Sequence, residues 1–338
     1  MSKYLITGTA GFIGFHLANA LLEKGKEVVG LDNINDYYDV NLKYARLKEA
    51  GIDRDDVEWG RSAQSRKYSG YRFIRMNLGD KEGIMELFRN EQFDYVIHLS
   101  AQAGVRYSID HPDVYIQSNI IGFFNVLEAC RHYPVKHLLY ASSSSVYGNN
   151  EKVPFSEDDN VDHPVSLYAA TKKSNELMAS TYIHLYDIQA TGLRFFTVYG
   201  PWGRPDMAIY KFTKAMVNNK PIQVYAEGKL LRDFTYIDDI INGILSILVR
   251  LTKETPPRLM NIGNNHPVTV NTLVTELENA LGRHAQIEYL QMQPGDVNAT
   301  YADISKINSY CGFTPNTDLK EGIKRFCEWY LRFSKILQ

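Results

Sequence analysis

The sequence predicts an α/β fold: a doubly wound parallel sheet with a smaller α/β lobe built onto it toward the C-terminus. Three observations carry this. Short apolar runs alternate with helix-like segments through the first 200 residues, and strands separated by helices imply a parallel sheet covered on both faces. A glycine cluster follows the first run directly, at the start of a helical pattern. Past about residue 200 the alternation weakens into short strands mixed with helices.

The runs come in order. "YLIT" (4–7), "EVVGLD" (27–32), "YRFIRM" (71–76), "YVIHLS" (95–100), "HLLYAS" (137–142) and "QATGLRFF" (189–196) read as strands. Helical patterns lie near 12–24, 81–90, 113–131 and 169–186. The connection from 33 to 70 is long and holds one more helix, "NLKYARLKEA". The lobe has strands in "PIQVYA", "RLMNIG" and "QIEYL" and helices near 237–251, 270–281 and 319–334. The expected division is 1–200 for the first domain and 201–338 mainly for the lobe, with some chain crossing back.

The 338 residues are 44% hydrophobic and 22% charged, which is globular composition, not disorder. A net charge of −2 gives no bulk attraction to nucleic acid or to an anionic membrane. No apolar stretch is long enough to span a bilayer, and no leader pattern precedes "KYLITG". Cys130, Cys311 and Cys327 are scattered and odd in number, which suits a reducing compartment; the expectation is a cytoplasmic protein. The histidines are dispersed, and no metal-ligand spacing is present.

"TGTAGFIG" holds Gly8, Gly11 and Gly14. Such a turn lets backbone N–H groups approach a pyrophosphate at a helix N-terminus. Glycine also serves any tight strand–helix turn, so the triplet alone is weak. Asp32, closing the second run, adds an acceptor for an adenosine ribose. The next residues are Asn33, Ile34 and Asn35, with no arginine to receive a 2′-phosphate, so NAD is favoured over NADP.

"YAATK" places Tyr168 and Lys172 four apart, on one face of a helix. A phenol ionises near pH 10, and an ammonium beside it favours the phenolate. Such a pair can move a proton at a carbinol while a nicotinamide exchanges hydride. Alone, the spacing fits a surface helix pair better. Here it follows a nucleotide-type turn and a strand end rich in hydroxyls, "YASSSSVYG".

Taken together, "TGTAGFIG", "HLSAQAGVRYS", "YASSSSVYG", "SLYAATK", "LRFFTVYGPWGRPDMA", "RDFTYIDDI" and "QPGD" resemble the extended short-chain dehydrogenase/reductases, and within them the NAD-dependent nucleotide-sugar 4-epimerases. The resemblance runs from about residue 3 to 335. "NDYYD", "AQAGVRYS" and "FFTVYGPWGRPDMA" are most similar to the UDP-glucuronate 4-epimerases. It implies a Rossmann-type domain with a C-terminal substrate lobe, an NAD cofactor and a UDP-sugar substrate. It implies catalytic roles for Ser143, Tyr168 and Lys172. The implied cofactor positions are Gly8, Gly11, Phe12, Ile13 and Gly14 in the turn, Asp32 and Asn33 after the second strand, Asn77 and Leu78 after the third, and Ser100, Ala101 and Gln102 after the fourth, together with Tyr168 and Lys172. The implied substrate positions are Arg106, Asn119, Ser144, Ser145, Thr197, Arg204, Arg232 for the diphosphate, and Asp296 for the uridine ribose. The resemblance further implies a homodimer through the helices near 113–131 and 169–186; from the sequence alone their apolar faces fit core packing as well.

Two departures stand out. Many relatives carry Asp where this chain has Asn77, and galactose-type epimerases carry Arg where it has Gln293. The related 4,6-dehydratases place Asp-Glu where this chain has Ser144 and Ser145, and neither serine can do that acid–base chemistry. Two hydroxyls can instead donate to a C6 carboxylate, with Thr197 as a third and Arg204 as charge partner. They also fit a plain role in satisfying backbone groups at a strand end. The open alternatives are an epimerase of a neutral or N-acetylated UDP-sugar, a UDP-uronate decarboxylase, or an NAD-binding sensor without turnover.

Overall fold

A computed structural model describes residues 2–292 and 298–334. The chain divides into two compact units. The first comprises residues 1–146, 161–194 and 255–259, and the second 147–160, 195–254 and 260–338.

In the first unit the chain runs β1 (Lys3–Thr7), α1 (Phe12–Glu23), β2 (Glu27–Asp32), α2 (Val40–Glu49), β3 (Ser62–Gln64), β4 (Tyr71–Arg75), α3 (Lys81–Glu91) and β5 (Tyr95–His98). It continues through the short α4 (Tyr107–Asp110) and α5 (Pro112–Tyr115), a π-helical stretch Ile116–Ile121, α6 (Gly122–His132), β6 (His137–Ser143), α7 (Leu167–Tyr186) and β7 (Ala190–Phe195). The strand order is β7-β6-β5-β1-β2-β4-β3. β1 pairs in parallel with β2 and β5, β2 with β4 and β5 with β6, and β3 pairs antiparallel with β4. Val28, Val29, Val96, Ile97, Leu138 and Leu139 are almost fully buried, as strands covered on both faces must be. Helices start at side-chain caps: Asp39 for α2, Asp80 for α3 and Ser166 for α7. In such a sheet the ligand site lies at the carboxyl ends of the strands, where the order reverses beside β1.

The second unit contains β8 (Thr197–Tyr199), α8 (Ala208–Val217), β9 (Ile222–Tyr225), β10 (Leu231–Arg232), β11 (Phe234–Tyr236) and α9 (Ile237–Arg250). The strand β12 (Leu259–Ile262) carries the chain across from the first unit, followed by β13 (Val268–Thr269), α10 (Val270–Leu281), β14 (Ile287–Leu290), β15 (Ala299–Thr300), α11 (Ser305–Cys311) and α12 (Leu319–Ser334). Residues 147–160 belong here because Tyr147 Oη donates to Asn261 Oδ1 at 2.7 Å and Phe155 N–H to Tyr301 O at 2.9 Å. Among the described residues, no helix is long and apolar enough to cross a membrane.

Candidate active site

The turn after β1 is built for close approach. A Cβ on Gly14 would lie 2.1 Å from Gly8 O, so no other residue fits there. Gly11 caps α1 with no side-chain bond, and no acidic residue sits in the first turn. The helix N–H groups are therefore left for an anion. Phe12 is buried under the turn and Ile13 half-buried. Asp32 ends β2 at 7% exposure, with Oδ1 accepting from Ile34 N–H at 2.8 Å; Asn33 beside it is half-buried. Asn77 is exposed past the end of β4, its Oδ1 3.3 Å from Gly79 N, and Leu78 is buried. Ser100, Ala101 and Gln102 follow β5. These residues fit a dinucleotide: a cradle without side chains for its phosphates and an acid at the ribose end.

Below this turn a single hydroxyl fixes a histidine. Thr7 Oγ1 accepts from Leu99 N–H (3.2 Å) and Ser100 N–H (3.1 Å). Its own proton therefore goes to His98 Nδ1, 3.0 Å away, which places the His98 proton on Nε2. Burial, and secondarily the Lys172 charge, push His98 down to about 3. The folded value lies below the unfolded one near 6.5, so the unfolded chain binds the extra proton first as pH falls. Stability is full above pH 6.5 and is lost toward pH 3, by up to about 1.4 kcal/mol per pH unit for this group. His98→Gln is expected to make the loss of thermal stability between pH 6 and 4 shallower than in wild type; an unchanged slope in melting curves would show that His98 does not carry it.

Lys172 and Ser143 lie at the end of β6, and Tyr168 one helical turn before Lys172. Lys172 is 2% exposed, and its Nζ donates to Ala141 O at 2.9 Å, two residues before Ser143. Tyr168 lies one turn before Lys172 on α7, half-buried, its ring edge-on to Tyr115 at 6.1 Å between centroids. Burial lowers Lys172 to about 8, partly opposed by the carboxylate of Glu176, so the ammonium still dominates at neutral pH. Ser143 is 8% exposed; its Oγ accepts from Ser145 N–H and donates to Ser145 Oγ, both at 3.1 Å. Ser144 and Ser145 are half-buried in the helical turn that follows. Ser145 thus already holds one hydroxyl partner, a local role of the plainer kind.

Asn119 is bonded at both ends of its side-chain amide. It is 1% exposed within the π-helical stretch. Its Oδ1 accepts from Gln102 N–H (2.8 Å), and its Nδ2 donates to Gln102 O (3.1 Å) and Thr171 Oγ1 (3.0 Å). With both ends of the amide occupied, Asn119 holds the exit of β5 against α7. Arg106 is exposed, just before α4.

In the second unit, Thr197 begins β8 and Arg232 ends β10, both half-buried. Arg204 forms a fork with Asp206, Nε to Oδ1 at 3.0 Å, so its charge is compensated within its own loop. Asp233, next to Arg232, is 1% exposed and accepts from the N–H groups of Asn264 (2.7 Å), Asn265 (3.0 Å) and Ala302 (3.0 Å). It ties two segments, residues 264–265 and residue 302, to the end of β10. Asp296 and Gln293 lie outside the described residues.

Sequence reasoning missed the support beneath the site. Glu176, one turn past Lys172, takes a bidentate pair from Arg194 (2.8 Å each) and the hydroxyl of Ser142 at 2.6 Å. The signal was present: an arginine inside the apolar run "GLRFF" demands a buried acid. Among the described residues no group of three or more His, Cys, Asp or Glu is placed to hold a metal.

Compared with known proteins, the chain is 43% identical over 344 residues to a probable UDP-glucuronate 4-epimerase of Rhizobium meliloti, covering 97% of this chain and 96% of the relative. It is 47% identical over 345 residues to UDP-glucuronate 4-epimerase 1 of Arabidopsis thaliana, covering 97% of this chain and 76% of that one. Among solved structures it resembles UDP-glucuronic acid 4-epimerase from Bacillus cereus in complex with UDP-glucuronic acid and NAD, with a TM-score of 0.88, 33% identity and coverage of 98% and 99%. The model of the NAD dependent epimerase/dehydratase family matches residues 4–263, the greater part of the sequence, and the chain belongs to that family.

Proposed function

We propose that this chain is an NAD-dependent nucleotide-sugar 4-epimerase that interconverts UDP-glucuronate and UDP-galacturonate through a 4-keto sugar. The observation that carries the reading is the buried Lys172 docked on Ala141, beside Ser143 and one turn from Tyr168, in a unit that also holds the dinucleotide turn. The UDP-glucuronate 4-epimerases among its relatives, matched along nearly the whole chain, support the choice of sugar.

NAD, when bound, supplies what no side chain can, acceptance of hydride from the sugar C4 and its return. Gly8, Gly11 and Gly14 leave room for its phosphates, and Asp32 accepts from the ribose. Tyr168, as phenolate, takes the proton of the 4-hydroxyl with the Ser143 hydroxyl between them. Lys172 holds a positive charge one helical turn away and favours that phenolate. The 4-keto sugar then presents its other face, and Tyr168 returns the proton. Arg232 and, outside the described residues, Asp296 hold the nucleotide end, so binding energy remote from C4 keeps the substrate while the ring turns.

After oxidation at C4 a uronate is a β-keto acid and loses CO₂ when its carboxylate aligns with the carbonyl. Hydroxyls of Ser144 and Ser145, adjacent in the turn after β6, hold it out of alignment. Ser144→Ala and Ser145→Ala are each expected to release CO₂ and a UDP-pentose beside the epimer. Clean epimerisation at wild-type rate by both variants, read by proton NMR, would remove this role.

Exposed apolar side chains support a homodimer through the helices expected for it. Leu177 and Leu185 on α7 are 56% and 59% exposed, and Ile116 and Ile121 in the π-helical stretch 40% and 38%. Free thiols at Cys130, Cys311 and Cys327 suit a cytoplasmic setting. The function is tested by incubating purified protein with UDP-glucuronate, without added NAD, and following products by proton NMR. UDP-galacturonate is the expected product; a UDP-pentose alone, or no change when NAD is supplied, would reject the reading.

A further inference from the structure

The long connection after β2 does more than join two strands. In the sheet, β5 and β2 flank β1 on either side, and all three run parallel. Their carboxyl ends therefore bracket the point where the Gly8–Gly14 turn leaves β1. Asn35 lies three residues past β2 and Gln102 four past β5. Asn35 Nδ2 donates to Gln102 Oε1 at 3.1 Å. Strands two places apart in a sheet are separated by roughly 10 Å. This one side-chain bond thus bridges the end of β1.

Both abutments are tied down. On one side, Lys43 of α2 is 5% exposed and donates to Asn35 Oδ1 at 2.6 Å, with Asp32 Oδ1 3.9 Å away. Arg46, one turn on and fully buried, donates to Ala10 O within the turn itself (2.8 Å) and to Tyr38 Oη (2.7 Å). On the other side, Gln102 is held by Asn119, Asn119 by Thr171, and Thr171 Oγ1 donates to Tyr168 O at 2.8 Å. Tyr37 adds a second touch: its ring packs on Tyr107 at 4.8 Å, and a Cβ on Gly104 would meet its hydroxyl. A chain of hydrogen bonds, passing through the Gln102 main chain, therefore runs from α2 to the helix that carries Tyr168.

We propose that residues 33–46 form a cofactor latch, closed by the Asn35–Gln102 bond across the end of β1, which keeps the dinucleotide bound through the catalytic cycle. The reaction supplies the reason. Hydride removed from C4 must return to the same sugar, so a cofactor that left between the two transfers would strand the 4-keto intermediate. A dinucleotide held by the glycine turn, Asp32 and residues 100–102 would lie at the same strand ends that this bond spans. The latch rests on the NAD reading above.

The test is retention, not turnover. Purified protein carrying NAD is mixed with an NAD-hydrolysing glycohydrolase, and the NAD still bound is extracted and measured with time. Asn35→Ala is expected to release NAD roughly two- to tenfold faster than wild type, the range set by one net hydrogen bond. Activity lost by the variant on dilution should return when NAD is added. Equal release rates in wild type and variant overturn the latch and leave the function standing. A wild-type protein that binds no NAD overturns both. Should the variant not fold, backbone hydrogen exchange of wild type gives the answer: residues 34–46 and 100–104 are expected to slow together when NAD binds, and unchanged exchange at 34–46 overturns the latch.

Discussion

Replacing Tyr168 by phenylalanine is expected to lower the epimerisation rate roughly 10²- to 10⁴-fold, the usual worth of a positioned acid–base group, with the fold and the bound NAD retained. The substitution removes one oxygen and little else. The ring contact with Tyr115 survives in phenylalanine, and α7 still begins at its Ser166 cap, whose hydroxyl accepts from Ala169 N–H at 3.1 Å. Lys172 keeps its bond to Ala141 O, because that bond does not involve the phenol. What is lost is the proton carrier at the 4-hydroxyl, which Ser143 cannot replace, since a serine hydroxyl has no ionisation near neutral pH. The measurement is a time course by proton NMR with UDP-glucuronate, alongside NAD extracted from the same preparation. A rate within tenfold of wild type, with NAD content unchanged, would show that another group moves the proton.

The parts of this molecule that are legible in the sequence are those fixed by local pattern. The strand Glu27–Asp32 and the helices Val270–Leu281 and Leu319–Ser334 lie where the runs predict them, because an apolar period and its boundary residues are close together in the chain. The helix Ala208–Val217 was not foreseen: it follows Pro- and Gly-rich text and starts at Met207 without a side-chain cap. The edge strand Ser62–Gln64 was missed because "SAQ" has no β signal of its own and exists by pairing with Tyr71–Arg75. The return of residues 147–160 to the second unit depends on Tyr147 meeting Asn261, 114 positions away, and no window reports that.

The site divides the same way. Glycine spacing and the Tyr168–Lys172 interval are local chemistry and could be read directly. The surroundings that give these residues their properties are not local. Lys172 is depressed by burial, and Asn119 is braced by Gln102 and Thr171, which meet it only through the fold. Tyr37 and Tyr38 of "NDYYD" take their places from distant partners: one lies on Tyr107 and Gly104, the other accepts from Arg46.

The largest effect on stability is expected from Arg194→Met, a loss of about 3–5 kcal/mol, because it leaves a buried carboxylate without its counter-charge. The Arg194 and Glu176 side chains are 1% and 3% exposed, and water cannot replace the lost partner. Glu176 would keep the Ser142 hydroxyl, a neutral donor that does not balance a charge. Removing the acid as well should reverse much of the damage, since a matched apolar pair no longer carries the desolvation of two ions. Glu176→Met with Arg194→Met is therefore expected to be more stable than Arg194→Met alone, although Ser142 then loses its acceptor. Urea unfolding followed by circular dichroism reads all three proteins. An Arg194→Met midpoint equal to wild type, or a double variant less stable than the single, would mean that this pair does not hold α7 to β6 and β7. If the pair does hold them, its reach extends to the chemistry, because Lys172 and Ser143 sit on the two elements that Glu176 joins through its own helix and through Ser142.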